Sequence, residues 1–174
     1  MSQALPSGQR DGLRVLVVGT SGAGKSTFAR SLAARVQATH IELDALHWGP
    51  NWTPREQFVA DVQTAAAGQH WACDGNYRAA MPVLWPRATH VVWLDYPRRV
   101  VWWRVFWRTV ARGISRQALW AGNRESLRTA FFSRDSILWW SLSTFGKHRR
   151  KYQALQQDAQ WRHLQWRVLR HPRE

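Results

Sequence analysis

Residues 19–27, with the sequence GTSGAGKST, have the composition and spacing of a loop that binds phosphate groups. Gly19, Gly24, Lys25 and Ser26 occupy the fixed positions of the pattern G-x-x-x-x-G-K-[ST]. Glycine permits backbone conformations that a β-carbon forbids, so successive N–H groups can converge on phosphate oxygens. We expect the Lys25 ammonium to reach the β- and γ-phosphates of a nucleotide. The residues predicted to contact the nucleotide are Gly19, Thr20, Ser21, Gly22, Ala23, Gly24, Lys25, Ser26 and Thr27.

The segments on either side of this phosphate loop (residues 19–27) are typical of the elements that must position it. Residues 13–18 are apolar and β-branched, which predicts a buried strand. Residues 26–36 carry apolar side chains at helical spacing, and the start of that helix adds partial positive charge near Lys25. A glycine-rich turn without a ligand is the alternative, but strand, loop and helix occur here in the order that phosphate binding requires.

Two acidic residues follow predicted strands and are candidates for the chemistry. Asp74 closes the strand at residues 70–73, and Asp44 follows the strand at residues 39–43. The carboxyl ends of parallel strands share one edge of a sheet, where ligands bind. We expect Ser26 and Asp74 to hold Mg²⁺, with Asp74 acting through water. Asp44 could bind the metal or accept a proton from a substrate hydroxyl. The alternatives are an Asp-Gly turn at Asp74 and a helix cap at Asp44.

The residues after Asp44 could form the wall of a pocket for a small molecule. His47, Trp48 and Trp52 lie on a predicted loop around a proline, and apolar walls with a few polar groups suit small ligands. For most of the other tryptophans, packing in the core is the favoured interpretation.

Arginines recur along a long helix predicted to begin at about residue 98. Arg104 and Arg108 are one turn apart and could present two guanidinium groups to a transferring phosphoryl group. A solvated basic helix face is the alternative, since charged residues four apart are common on helix surfaces.

The remaining segments alternate between strand and helix. Strands are predicted at residues 89–94 and 165–169, and a polar helix at residues 148–157. The sequence Thr53-Pro54-Arg55-Glu56 is interpreted as a capping box that opens a helix with Phe58, Val59, Val62 and Ala65 inward and an end near Gly68. This alternation predicts an α/β fold, a parallel sheet with helices on both faces.

Charge and composition narrow the possible partners. The chain has 174 residues, 13 tryptophans and a formal net charge of +14. Residues 1–97 contribute +1 of that charge and residues 98–174 contribute +13, mostly from arginine. This excess implies an anionic partner: a triphosphate, a nucleic acid or an acidic surface. No apolar run is long enough to predict a membrane span. A single cysteine, Cys73, excludes an intrachain disulfide and predicts a buried, inert thiol in a cytoplasmic protein.

At these residues the chain resembles the adenylate-kinase-like branch of P-loop kinases, and most closely the small DNA topology modulation kinases, also described as adenylate kinase-related. The resemblance covers roughly residues 14–155 and rests on residues 19–27, 43–48, 52, 74–77, 85–88, 94–97, 104 with 108, and 122–126. It implies a P-loop NTPase three-layer sandwich with a five-stranded parallel sheet, helices on both faces and a helical lid. It also implies binding of ATP and Mg²⁺.

Within a single domain at residues 13–174, we expect an acceptor-side insertion at about 44–69 and a lid at about 113–146. Residues 1–12 are expected to be a flexible tail.

The resemblance extends to an Asp-Gly-Phe-Pro-Arg segment that adenylate kinases place after the third strand. Asp74, Gly75 and Arg78 match it, whereas Asn76 and Tyr77 replace Phe-Pro, which puts a nucleoside monophosphate acceptor in doubt. All of residues 75–78 are assigned to acceptor binding on this basis. Related small-molecule kinases place an acid at the position of Asp44, as a base for a hydroxyl. A carboxylate would repel a phosphate acceptor but assist a hydroxyl acceptor, so a hydroxyl-bearing substrate is expected.

Three functions are compatible with these features. The first is a phosphotransferase that moves the γ-phosphoryl group of ATP to a small acceptor, with Lys25, Asp44, Arg104 and Arg108 as its catalytic residues. The second is a nucleotide-dependent nucleic-acid-binding protein whose contact surface is the half of the chain rich in arginine and tryptophan. The third is a regulatory ATP-binding module without catalysis.

Overall fold

A five-stranded parallel sheet forms the centre of the computed structural model, which describes residues 12–115, 120–123 and 137–174. The strands are β1 (Arg14–Gly19), β2 (Thr39–Glu42), β3 (Trp71–Asp74), β4 (His90–Leu94) and β5 (Gln165–Leu169). Their order across the sheet is β2-β3-β1-β4-β5, and every neighbouring pair is parallel. The predicted strands are all present, β5 with the predicted bounds and the others within one residue at either end.

The helices that cover the sheet are α1 (Lys25–Val36), α2 (Leu43–His47), α3 (Phe58–Ala65), α4 (Met81–Leu84), α5 (Arg98–Ser115) and α6 (Ile137–Gln157). Short 3₁₀ turns occur at Pro50–Trp52, Arg78–Ala80, Trp120–Gly122 and Ala159–Trp161. Strand and helix therefore alternate along the chain, as the sequence predicts.

Two hydrophobic cores, one on each face of the sheet, make the fold a three-layer α/β structure. Alternate side chains of β1 enter opposite cores, because successive residues of a strand point to opposite faces. Leu16 and Val18 pack with α3, α4 and α6, whereas Val15 and Val17 pack with α1 and α5. Cys73 is buried in the first core, and burial raises the pKa of its thiol, consistent with the predicted inert role.

The register of the central strands brings the carboxyl ends together. β1 pairs with β3 so that Val17 lies opposite Asp74, and β2 pairs with β3 so that Glu42 also lies opposite Asp74. On its other side β1 pairs with β4, with Gly19 opposite Leu94. The phosphate loop thus leaves the sheet beside the end of β3.

The start of α3 differs from its prediction. The helix begins at Phe58, so the predicted capping box does not open it. Pro54 instead forms an isolated antiparallel bridge with Trp48, and the Arg55 N–H donates to the His47 carbonyl at 2.8 Å. These backbone bonds hold Pro54 and Arg55 against the end of α2. Because the bonds use backbone groups of these residues, they compete with formation of a helix that starts here.

Three further predictions need correction. Asp44 follows β2 as predicted but lies in the first turn of α2, because β2 ends at Glu42 and the helix begins at Leu43. Val59, predicted to point inward, is 38% exposed, and α3 ends at Ala65. The predicted polar helix at 148–157 is the second half of α6, which begins at Ile137.

Parts of two predicted segments lie outside the described residues. These are residues 1–11 of the tail, and residues 116–119 and 124–136 of the lid. Among the helices that the structure describes, none combines the length and apolar character needed to cross a membrane.

Gly22 allows close packing between the phosphate loop and α5, and this packing can be tested. Gly22 has a φ of +84°, and a β-carbon there would lie 2.0 Å from Val105 Cγ2. We expect Gly22→Ala to lower the free energy of unfolding by about 2 kcal/mol, measured by urea denaturation, through backbone strain and overpacking. Gly146→Ala, in α6 with open space around it, is the control and should stabilise the helix by about 0.5 kcal/mol. Equal stability of Gly22→Ala and the parent would contradict this packing.

Candidate active site

The phosphate loop has the backbone geometry of an anion-binding turn. Residues 20–24 connect β1 to α1, the Ala23 N–H donates to the Thr20 carbonyl at 3.1 Å, and Gly24 caps α1 with a left-handed φ of 94°. Lys25, Ser26 and Thr27 form the first turn of α1, so the helix N-terminus faces the loop. The residues predicted to contact the nucleotide are therefore contiguous around one concave turn.

Lys25 is the positive group at the centre of the site. Its ammonium donates to the Thr20 carbonyl at 3.2 Å. Burial lowers its pKa to about 8, against the opposing attraction of Asp44 and Asp74, and the nearby Arg108 guanidinium lowers it further. Asp44, Asp74 and Arg108 therefore lie close enough to the Lys25 ammonium to change its pKa. Asp44 and Arg108 are predicted catalytic residues, and Asp74 is a predicted metal ligand.

Asp74 is held by two polar side chains. It accepts a hydrogen bond from the Ser26 hydroxyl, and its other carboxylate oxygen lies 2.8 Å from His40 Nε2. The Asp74 side chain is 3% exposed, so these bonds replace contacts with water. His40, in β2, was not among the predicted site residues. The only feature of the sequence that could have indicated His40 was its place in β2, the strand that pairs with the strand of Asp74.

Asp44 lies at the same edge of the sheet and is bonded by Tyr77. The Tyr77 hydroxyl donates to Asp44 Oδ1 at 2.6 Å. Burial and this hydrogen bond to Asp44 raise the pKa of Tyr77, so that the phenol remains a proton donor. The second carboxylate oxygen of Asp44 takes no part in this bond, and Asp44 influences the pKa of both Lys25 and His47.

A group of aromatic rings begins at His47, whose pKa the nearby Asp44 influences. The His47 ring contacts Trp48, Phe58 and Tyr77, with centroid separations of 4.6, 4.8 and 4.3 Å. Desolvation lowers the pKa of His47, which favours the neutral ring at neutral pH. Trp52, which is 36% exposed, extends this wall from Trp48. His47, Trp48 and Trp52 therefore do form a continuous aromatic surface beside Asp44.

A segment far along the chain closes onto this aromatic wall. The side-chain amide of the buried Asn123 donates to the Gly49 carbonyl at 2.8 Å and accepts from the Trp52 N–H at 3.2 Å. The Trp120 ring lies 6.3 Å from that of Trp52. Asn123 belongs to a segment that carried the family resemblance, but nothing in its spacing indicated these partners.

The residues after Asp74 have different environments. A β-carbon at Gly75 would lie 2.7 Å from Leu43 Cβ, so glycine lets the end of β3 approach α2. Asn76 donates to the Gly19 carbonyl at 2.8 Å and accepts from the Tyr152 hydroxyl at 2.7 Å, so it supports the phosphate loop from behind. Arg78 is exposed and close enough to Lys151 to lower the pKa of that ammonium.

Helix α5 places both predicted arginines next to the phosphate loop. Arg104 donates to the Ala23 carbonyl at 3.0 Å and lies over the Tyr96 ring at 5.3 Å. Arg108, one turn later, is near Lys25. On the other side of the sheet edge, Arg149 of α6 pairs with Asp95 at 3.1 Å. Burial raises the pKa of Asp95, and Arg149 opposes this shift.

The donor set at Ser26 and Asp74 fits Mg²⁺. The described residues contain no cluster of three or more histidine, cysteine or acidic side chains that could hold a metal alone. Mg²⁺ beside a nucleotide requires no such cluster, since it is bound by one or two protein oxygens, water and phosphate oxygens. The adjacent Ser26 hydroxyl and Asp74 carboxylate supply those protein oxygens.

Comparison with known proteins identifies the fold. No family model and no curated protein matches this sequence. In structure the chain is similar to a gluconokinase from Sinorhizobium meliloti 1021, with a TM-score of 0.52 and 19% identity over 94% of this chain and 86% of that chain. A shikimate kinase from Bacteroides thetaiotaomicron has a TM-score of 0.47 and 14% identity over 91% of this chain and 86% of that chain. A sugar kinase from Janibacter sp. HTCC2649 has a TM-score of 0.46 and 20% identity over 91% and 85%.

The chain has the three-layer α/β fold of the P-loop kinases. The likeness to the gluconokinase and the observed strand order carry this conclusion. The predicted fold class is thereby confirmed. Identity this low establishes a shared fold and does not transfer a substrate from one protein to the other.

The lowered pKa of Lys25 predicts that nucleotide affinity depends on pH. Phosphates bind the charged ammonium, whose pKa in the free protein is about 8. Raising the pH above that value removes the charge, so the Kd for ATP should rise, approaching tenfold per pH unit. Calorimetry from pH 7 to pH 9.5, in buffers of different ionisation enthalpy, should show proton uptake that increases with pH. Lys25→Arg, which stays charged, should bind ATP with little pH dependence over this range. Parallel pH profiles for the two proteins would contradict the assignment.

Tyr152 is expected to support nucleotide binding through Asn76. Tyr152→Phe keeps the buried ring but removes the hydrogen bond that orients the Asn76 amide toward Gly19. We expect the Kd for ATP to rise about fivefold, equivalent to roughly 1 kcal/mol for one hydrogen bond. Tyr96→Phe, which keeps the ring under Arg104, is the matched control and should leave ATP affinity unchanged. An equal effect of both substitutions would show that the Asn76 contact is not responsible.

Proposed function

We propose that this protein is an ATP-dependent phosphotransferase that transfers the γ-phosphoryl group to a hydroxyl group of a small molecule. The observation that carries the proposal is the position of Asp44. Its carboxylate is fixed by Tyr77 on the sheet edge that also bears Lys25 and Asp74, and its charge acts on the Lys25 ammonium. A phosphate-binding turn and a candidate base thus share one site.

The nucleotide would be held by the phosphate loop. Its backbone N–H groups and the N-terminus of α1 face the position expected for the phosphates, and Lys25 would neutralise the β- and γ-phosphates. Ser26 and Asp74 would hold Mg²⁺, which when bound neutralises charge on the β- and γ-phosphate oxygens. His40 would keep the Asp74 carboxylate oriented toward Ser26.

Asp44 would act as the proton acceptor. The acceptor oxygen forms a bond to the γ-phosphorus, the bond from that phosphorus to the bridging oxygen of ADP breaks, and the hydroxyl proton passes to Asp44. The Tyr77 hydroxyl bonds Oδ1, so it orients the carboxylate and leaves Oδ2 to face a substrate. A phosphate acceptor needs no such base, which favours a hydroxyl-bearing substrate over a nucleoside monophosphate.

Arg104 and Arg108 would stabilise the charge that develops on the transferred group. In the structure Arg104 is bonded to the Ala23 carbonyl, so it would exchange this partner for phosphate oxygens when nucleotide binds. The low effective dielectric near Lys25, indicated by its lowered pKa, strengthens such interactions.

The aromatic wall gives the proposed acceptor site its character. His47, Trp48 and Trp52 present mainly ring surface beside a single carboxylate, and Gly75 and Arg78 are proposed as further acceptor contacts. Apolar walls with few polar groups suit a small ligand. The contacts of Asn123 with Gly49 and Trp52 would help exclude water from this pocket.

We further propose that this chain belongs to the adenylate-kinase-like branch of P-loop kinases, and within it to the DNA topology modulation proteins. This proposal depends on the sequence segments that carry the resemblance. The nucleic-acid-binding alternative rests on the charge of +13 in residues 98–174. The regulatory alternative rests on the phosphate loop alone. Neither alternative gives Asp44 a role.

The role of Asp44 can be tested by substitution. Release of ADP should be stimulated by one class of hydroxyl compound in a panel of sugars, hydroxy acids, nucleosides and nucleoside monophosphates. Asp44→Asn should lower the acceptor-dependent kcat by about 10²- to 10⁴-fold while leaving the Kd for ATP nearly unchanged. Glu56→Gln, an exposed acid in the same insertion, is the matched control and should retain full activity.

Two results would overturn the proposal. One is unchanged acceptor-dependent activity in Asp44→Asn, since a base would then be unnecessary. The other is full ATP turnover in Lys25→Ala, since the phosphate loop would then not hold the nucleotide.

A further inference from the structure

The solvent-facing side of α5 carries a group of exposed aromatic side chains that the proposed active site does not use. Trp102, Trp103 and Trp107 are 43%, 57% and 51% exposed, and Phe106 lies between them. We refer to these four residues as the aromatic patch. Its three tryptophans are among the five large hydrophobic side chains that are exposed in the part of the chain that the structure describes.

The aromatic patch is continuous. Trp102 stacks on Phe106 with a centroid separation of 5.7 Å and an interplanar angle of 20°, and Phe106 meets Trp107 edge-on at 5.6 Å. Trp103 meets Trp107 at 5.5 Å, also edge-on. Scattered apolar residues on a surface require no explanation, but a contiguous aromatic surface of this kind is typical of an interaction site.

Packing among the residues that the structure describes does not account for the patch. The opposite side of α5 is already buried, with Val101 and Val105 in the core beside the phosphate loop and Thr109 1% exposed. An ordinary surface helix is polar on its outer side, whereas α5 is apolar on both. Burial of tryptophan in the core, the favoured interpretation for most tryptophans of the chain, therefore does not apply to these three.

The charge around the patch is entirely positive along the helix. Residues 98–115 contain arginines and no acidic residue, and Arg98 and Arg99 are exposed in the first turn of the helix that carries the aromatic rings. This combination matches interfacial helices, which have tryptophan at the boundary between headgroups and acyl chains and arginine toward anionic headgroups.

We infer that the aromatic patch of α5 docks on the surface of an anionic lipid bilayer. The surface is the convex side of a single helix, and its rings pack against one another. Single-stranded nucleic acid is bound instead by a groove with open ring faces on which bases stack. Indole rings with an apolar body and a polar N–H are at their most stable at a membrane interface. The inference is independent of the proposed phosphotransferase activity, because no residue of the patch belongs to the nucleotide or acceptor site.

Sedimentation with vesicles tests this inference on the full-length protein. We expect it to bind vesicles of phosphatidylcholine mixed with phosphatidylglycerol at least tenfold more tightly than vesicles of phosphatidylcholine alone, with binding weakened by salt. Trp103→Ser combined with Trp107→Ser should weaken binding to the mixed vesicles by more than tenfold. The same variant should keep the parent's affinity for ATP, which shows that it is folded.

A pair of charge reversals separates a local effect from net charge. Arg99→Glu, beside the patch, should weaken binding to the mixed vesicles by about tenfold. Arg35→Glu, exposed at the end of α1, makes the same change in net charge and should have a much smaller effect.

The results that overturn the inference are specific. They are failure to sediment with mixed vesicles, and equal vesicle binding by the double tryptophan variant and the parent. An equal effect of Arg35→Glu and Arg99→Glu would also overturn it, since binding would then follow net charge. If light scattering shows a dimer, or titration shows a complex with single-stranded DNA, that the tryptophan variant loses while vesicle binding persists, the patch serves that partner instead.

Discussion

The pairing of β1 with β3 is the constraint on which the rest of the site depends. It sets Asp74 level with the end of β1, so that the first turn of the following helix brings the Ser26 hydroxyl onto the Asp74 carboxylate. Parallel strands cannot be joined by a tight turn, so α1, which crosses from β1 to β2, begins at the carboxyl edge of the sheet. The phosphate loop, its helix and the oxygens of Ser26 and Asp74 that are proposed to hold a metal are therefore a single geometric unit.

Electrostatics within that unit are balanced between burial and charge pairing. Lys25 is partly removed from water, which disfavours its ammonium, while Asp44 and Asp74 favour it. A bound polyphosphate would shift this balance strongly toward the charged form. A buried ammonium whose pKa is lowered in this way is a common feature of functional sites.

Polar side chains behind the loop connect distant parts of the chain to it. Tyr152 of α6 reaches the Gly19 carbonyl through Asn76, and Asn123 holds the turn that carries Gly49 and Trp52. The Asn123 side chain is buried and the Asn76 side chain is partly buried, so each bond fixes a position for which water would otherwise compete. Helices α5 and α6 contact each other, and both reach the phosphate loop, α5 through Arg104 at the Ala23 carbonyl and α6 through Tyr152 and Asn76.

Local sequence determined the elements and the phosphate loop, because strand and helix periodicity and the glycine pattern of residues 19–27 are properties of neighbouring residues. It also indicated that Asp44 and Asp74 lie at one edge of a parallel sheet. It could not reveal His40 beside Asp74, Tyr152 behind Asn76 or Asn123 on Gly49, since those pairs are 34, 76 and 74 residues apart. It also misplaced the start of α3, because backbone bonds to the residues after α2 outweighed a local capping signal. Which side of α5 is buried was likewise decided only by tertiary packing, since both sides of that helix are apolar.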